Sequence, residues 1–585
     1  MAIRAPGRLP MTARRARALF SLPLLCACAA FAACGAEPRP ASPGAEPPTG
    51  PAPAEAPDAE RVPLFEDIGA LHHPVTTSSQ LAQRYFDQGL RLVYAFNHDE
   101  ARKAFREAAR LDPGLAMARW GIALTLGPNI NQPADAARER AALEAVEEAR
   151  ALAASASERE RAYIDALAER HASTSGRAPG RDRADLDRAD LDRAYASAMR
   201  ELARRFPDDL DAGVLFAEAL MDLRPWDLWT QDGRPQPGTE EIVSTLEGVL
   251  RRDPEHLGAN HYYIHAVEAS RAPERALPSA ERLGGLAPGA GHLVHMPSHI
   301  FVRVGRYADA SDANEQAVLA DRRYIRERRP EGIYPMMYFP HNLHFLSVSA
   351  SMEGCSAVAV RAARELAAAV PDHNVRHMPM LEMFRPALLF ALVRFGRWDD
   401  VLAEPAPPSE LRYTAGIWRY ARGRALAATG RHDDAAREAA VLRAMASESR
   451  EDATIGRNRA KDLLEIASLV LEGQIASERG DTGAAARMLE DAARIEDGLR
   501  YFEPPDWPEP VRHTLGAVLL TAGRARDAEA TYREDLLQHP QNGWSLSGLE
   551  RSLRAQGKEE EADAAHARFK RAWARADVRL SGSRP

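Results

Sequence analysis

Histidine is the residue type whose spacing in this sequence carries chemistry. Ten of the eighteen histidines fall between His256 and His377, where even scatter would put about four. His261/His265 and His295/His299 are i,i+4 pairs, while His265/Glu268 and His341/His344 are i,i+3. On an α-helix those intervals place two side chains on one face, one turn apart. An i,i+4 histidine pair is the geometry that chelates a transition ion. The two pairs stand 34 residues apart. Packed helices lie about 8–10 Å apart, so imidazoles from neighbours can meet at one ion through bonds of about 2.0–2.1 Å. Nitrogen and oxygen donors together suit zinc, copper or iron. The candidate ligands are His261, His265, Glu268, His292, His295, His299, His341 and His344. The other reading of the column is hydrogen bonding among the histidines, to Tyr262 and Tyr263, or to a peptide.

No other chemistry is marked. The chain has no Gly-rich phosphate loop, no G-x-S-x-G elbow and no H-E-x-x-H, so no catalytic residue is assigned and an enzyme is the secondary reading. Net charge is −8 with interspersed acids and bases, which excludes the basic face a nucleic-acid partner needs. Of the four cysteines only Cys355 lies beyond residue 34, so no disulfide framework is expected, and Cys355 reads as a buried, inert thiol.

Elements that position the histidines must be helical. The chain has 585 residues, too many for one core of at most about 250–300. It is rich in Ala, Leu, Arg and Glu, with 6% aromatics, a helix-forming composition. With Ala82 as position 1, Gly89, Ala101, Phe105, Ala108 and Pro113 fall at positions 8, 20, 24, 27 and 32. With Glu509 as position 1, Gly516, Ala528, Tyr532 and Pro540 fall at 8, 20, 24 and 32, while Asp535 departs at 27. This pattern resembles the tetratricopeptide repeat. Similar turns recur at Gly305, Gly354, Gly396, Gly430 and Gly480, each able to supply a left-handed cap between two helices. Roughly ten helix pairs are expected from a repeat of about 34 residues. Residues 133–208 read as long charged helices, and 223–238 as a Trp- and Pro-rich loop.

The resemblance implies an all-α solenoid of helical hairpins wound as a right-handed superhelix, with a concave groove for a protein or peptide. It also implies that positions 2, 5, 9, 12 and 13 of each first helix line that groove. Gly305 and Gly354 as position 15, with Ala276 and Ala310 at position 20, start three first helices at Leu257, Gly291 and Pro340. Histidine then takes seven of fifteen groove slots, where chance gives about half of one. His261, His265, His295, His299, His341 and His344 are expected to face one cavity, with Glu268 at its wall and His292 at its edge. The third pair joins if the insertion after Arg326 loops outward. The runs His261-Tyr262-Tyr263-Ile264-His265, His295-Met296-Pro297-Ser298-His299 and Pro340-His341-Asn342-Leu343-His344, with Phe96-Asn97-His98-Asp99-Glu100-Ala101, resemble a set of uncharacterised bacterial tetratricopeptide proteins. That resemblance brings a fold and a groove, and no established activity.

The N-terminus reads as an address. Arg14, Arg15 and Arg17 precede an apolar run of residues 18–33, too short to span a bilayer. Phe31-Ala32-Ala33-Cys34-Gly35 resembles a bacterial lipobox, which implies cleavage and lipidation at Cys34. Gly35 in place of aspartate implies the outer membrane, facing the periplasm. Cys28 is the rival site, and Met11 the rival start. Residues 35–63 are Pro-rich and read as a disordered tether. The expected organisation is signal peptide 1–33, tether 34–63, N-terminal repeats 64–132, long-helix insertion and loop 133–255, His-rich repeats 256–400 and C-terminal repeats 401–585.

Overall fold

Alanine at the contact positions and glycine at the turns let the helices pair closely. A computed structural model of the protein describes residues 62–171, 188–580 and 582–583. The signal segment, Cys34 and nearly all of the tether lie outside the described residues. From Val62 onward the chain forms one unit, within which the subdivision at 133, 256 and 401 stands as a proposal about repeat grouping. Antiparallel helix pairs follow one another from Gln80–Tyr94 with His98–Leu111 to Gly543–Arg554 with Glu559–Ala572, about twelve among the described residues. The fold is the all-α helical-hairpin solenoid. Among the described residues the strands are one short hairpin, Thr454–Ile455 with Asn458–Arg459. No described helix is long and apolar enough to cross a membrane.

The repeat register holds at both ends. Ala101 and Ala528 are fully buried. The Phe105 ring fills the space where Cβ atoms on Gly89 and Gly121 would stand, and Tyr532 does the same between Gly516 and Gly548. One large side chain thus seats against its own repeat and the next, which is how successive hairpins become one core. The five turn glycines all adopt positive φ, from 61° at Gly396 to 86° at Gly480, a region where Cβ is penalised.

Three departures matter for the site. The helix carrying His295 and His299 is broken into Gly291–His295 and Pro297–Arg303, because Pro297 has no N–H to continue the ladder. The insertion after Arg326 does not loop outward. The helix Tyr307–Arg328 ends just inside it, a short non-helical turn follows, and a π-turn at Tyr334–Tyr338 leads straight into Phe339–Glu353. The loop at 223–238 is helix-free, as expected, and folds back so that Trp229 Nε1 donates to the Ala266 carbonyl at 2.7 Å. The C-terminal repeats return to this region: Trp226 packs against Phe502, and the Arg457 guanidinium donates to the Trp226 carbonyl.

Candidate metal centre

Three successive hairpins deliver the histidines. His261 and His265 come from Leu257–Val267, His292, His295 and His299 from the broken helix, and His341 from Phe339–Glu353. They sort into two groups of three. His261, His265 and His292 each offer a ring nitrogen within 4.8 Å of the others, and so do His295, His299 and His341. Nε2 of His295 lies 2.9 Å from Nε2 of His299, and Nε2 of His261 lies 3.2 Å from Nε2 of His292.

Three of the four opposite ring nitrogens are committed elsewhere. His261 Nδ1 donates to the Tyr94 carbonyl at 2.7 Å, and His295 Nδ1 to Asn314 Oδ1 at 2.7 Å. The Asn314 amide donates to the Ala310 carbonyl, which fixes which end faces His295. His265 Nδ1 donates to Glu268 Oε1 at 2.9 Å, and His299 Nδ1 to Glu268 Oε2. With Nδ1 protonated, a neutral imidazole presents a bare lone pair at Nε2. Two such lone pairs facing across 2.9 Å repel unless a cation sits between them. For metal–nitrogen bonds of about 2.05 Å, separations of 2.9 and 3.2 Å subtend about 90° and about 103° at the ion. Both are ordinary ligand angles. A proton shared between the two Nε2 atoms of His295 and His299 is the competing occupant of that gap. His265 Nε2 is buried without any partner, which points to a missing ligand, while His292 Nδ1, on the far side of its ring from His261, is also unpartnered.

Glu268 is not placed as a ligand. It is fully buried behind both groups, and Tyr501 adds a third donor at 3.4 Å. Burial alone would raise its pKa, but the imidazoles of His299 and His265 outweigh that and hold the carboxylate below its usual range. A carboxylate that accepts from the far nitrogen of a histidine fixes its tautomer and orientation. Burial first, and neighbouring imidazoles second, push His261, His292, His295 and His341 well below the ordinary histidine value. Burial also lowers His265, against the raising effect of Glu268. These rings are therefore neutral, as ligation requires.

Two expectations need correction. His292 is a full member of the first group, with its ring centre 4.9 Å from that of His261. His344 belongs to neither group. Its ring lies edge-on to Phe384 at 5.7 Å, and its Nδ1 has no partner. Helical spacing from His341 sets a common face but not which neighbour each ring meets, and burial lowers His344 to about 4.

Several residues that shape the site carry no signal in the histidine spacing. Phe96 packs against His261, His265 and His292 at 4.6–5.9 Å, and Phe345 against His295, His299 and His341 at 4.8–5.5 Å. Each group is thus backed by one phenyl ring. Phe96 sits at position 15 of its repeat, the turn position glycine holds elsewhere, and keeps a left-handed φ of 53°. A bulky residue there stores strain of the order of 1 kcal/mol or more. The cue was present in the sequence as a phenylalanine in a glycine slot. The insertion also contributes: the His292 N–H donates to Tyr334 Oη at 3.2 Å, and the Tyr338 ring lies 4.8 Å from His292.

His265, His292, His299 and His341 form part of the wall of a cavity of about 640 Å³. Trp226, Met337, Tyr338, Met383 and Phe502 supply apolar wall, and Arg457 and Glu503 polar wall. Burial raises Glu503 to about 7. A third cluster, His73 with Asp209 and Asp211, is an internal hydrogen-bond network. Asp211 accepts from His73 at 2.7 Å and Tyr94 at 2.6 Å, and pairs with His256 at 3.3 Å. Cys355 is buried as expected, and burial pushes its thiol up to about 12.

No family model and no curated protein matches the chain. Among solved structures, the human IFIT1 dimer with m7Gppp-AAAA shares 12% identity with a TM-score of 0.32, over 78% of this chain and 90% of that one. NprR in complex with its cognate peptide NprX shares 12% identity with a TM-score of 0.33, over 64% of this chain and 90% of that one.

Proposed function

We propose that the protein is a transition-metal-binding scaffold whose two three-histidine groups hold metal ions at the wall of an internal cavity. The observation that carries this is the pair of Nε2–Nε2 approaches at 2.9 and 3.2 Å, with three of the four rings donating through Nδ1 to fixed acceptors. A groove evolved only for a peptide gains nothing from the facing Nε2 lone pairs of His295 and His299. Elemental analysis of protein purified without a His-tag from metal-replete cells tests it. Bound copper, zinc or iron supports the reading, and metal-free protein that also fails to take up any of them rejects it.

A metalloenzyme is the second reading. It is favoured by the cavity, which reaches both groups and has room for a small molecule. A protein or peptide partner on the concave side belongs to the proposal as well, supported by the repeat architecture. Anchoring in the bacterial envelope through lipid on Cys34 is supported by the lipobox-like run and the Pro-rich segment after it. Cys34→Ser should free the protein from membranes or block its processing, and unchanged cleavage and fractionation would reject the anchor.

A further inference from the structure

We propose that the two histidine groups are one dinuclear copper centre, whose ions share a small bridging ligand of one or two oxygen atoms taken from the cavity. This rests on the metal-binding reading and deepens it.

The groups abut. Ring centres across the boundary lie 5.5 Å apart for His265 and His299 and 5.8 Å for His292 and His295. Within the groups the same measure runs from 4.7 to 6.3 Å. One carboxylate, Glu268, receives an N–H from each group, one on each oxygen. A single rigid acceptor therefore sets the orientation of both, which two independent sites would not need. The arrangement is also repeated: each group has three imidazoles and one phenyl backing, Phe96 or Phe345.

The donor set selects the metal. All six donors are imidazoles, and Glu268 behind them is occupied by two ring N–H groups. Hard ions that favour carboxylate and water are poorly served, and among divalent ions copper binds nitrogen donors most tightly. Three nitrogens leave a copper ion with open coordination positions. Both groups reach the same cavity, His265 and His292 for one, His299 and His341 for the other. A ligand entering there meets both open positions, and with two ions so near it binds across them.

The test uses the full chain, stripped of metal and titrated with Cu(II), read by metal counting and electron paramagnetic resonance, with azide as the probe. The proposal expects two coppers per chain. At two equivalents the signal should fall several-fold below that of two isolated ions, and azide should bind once per copper pair. His292→Ala, which removes a ligand of the first group alone, should hold one copper with a full-intensity signal. Two coppers whose second equivalent doubles the signal, or two azides per chain, would overturn the dinuclear centre while leaving metal binding intact. No uptake at all would fell the metal-binding reading itself.

Discussion

Glu268 and His299, 31 residues apart and both almost wholly buried, are joined by a short hydrogen bond from His299 Nδ1 to Glu268 Oε2. The other carboxylate oxygen takes His265 Nδ1 at 2.9 Å. Only an ionised carboxylate accepts from both at once. Glu268→Gln has one acceptor oxygen and one amide that must donate. The imidazole facing that amide must shift its proton to Nε2, where it can no longer ligate. The variant should fold, and its weaker site should lose about 10–100-fold in affinity, the usual range when the acceptor that orients a ligating histidine is changed. Unchanged affinity for both ions would show that Glu268 does not set the tautomers.

Phe96 trades backbone strain for contact with three imidazoles. Phe96→Ala should destabilise the protein by about 3–5 kcal/mol through the cavity it leaves. It should weaken metal binding at His261, His265 and His292 more than at the other group. Chemical denaturation and metal titration check this. An equal loss at both groups would argue against one phenyl ring backing each group.

Metal and proton compete for the same Nε2 atoms. A histidine ligand loses metal as pH falls through its metal-free pKa, ordinarily about 6.5. Burial and like neighbours lower His261, His292, His295 and His341, so the loss is displaced to more acid pH. Metal should be retained at about pH 6.5 and released only at clearly lower pH. Half-release at or above pH 6.5, measured by dialysis, would indicate exposed histidines instead.

Ala101 is fully buried where the first two helices meet. Ala101→Leu should overpack that contact and cost about 1–3 kcal/mol. Because hairpins couple mainly to neighbours, hydrogen exchange should rise chiefly over residues 80–126. Unchanged melting behaviour would contradict the register.

Much of this was legible in the sequence. Fixed offsets of Gly, Ala and large residues give the hairpin repeat, because each position has one packing role, as Gly89 and Phe105 illustrate. The 34-residue spacing of His261/His265 and His295/His299 gives their stacking, because a solenoid adds one hairpin per repeat. What was not legible came from contacts distant in sequence. Tyr94 and Asn314 reach the histidines, and Tyr501 reaches Glu268, only through the fold. His292 and His344 were misplaced because helical spacing fixes a face but not how neighbouring helices are rotated. The break at Pro297 and the inward-turning Tyr334–Tyr338 segment changed that rotation.

The most direct test is metal content of the full chain beside that of the double variant His265→Ala, His299→Ala, both purified without a His-tag and dialysed against equal metal. The two changes take one ligand from each group and both partners from Glu268. The account predicts about two ions per chain in the parent and less than half of one in the variant, with circular dichroism showing unchanged helix content. Equal metal content in the two proteins would contradict it.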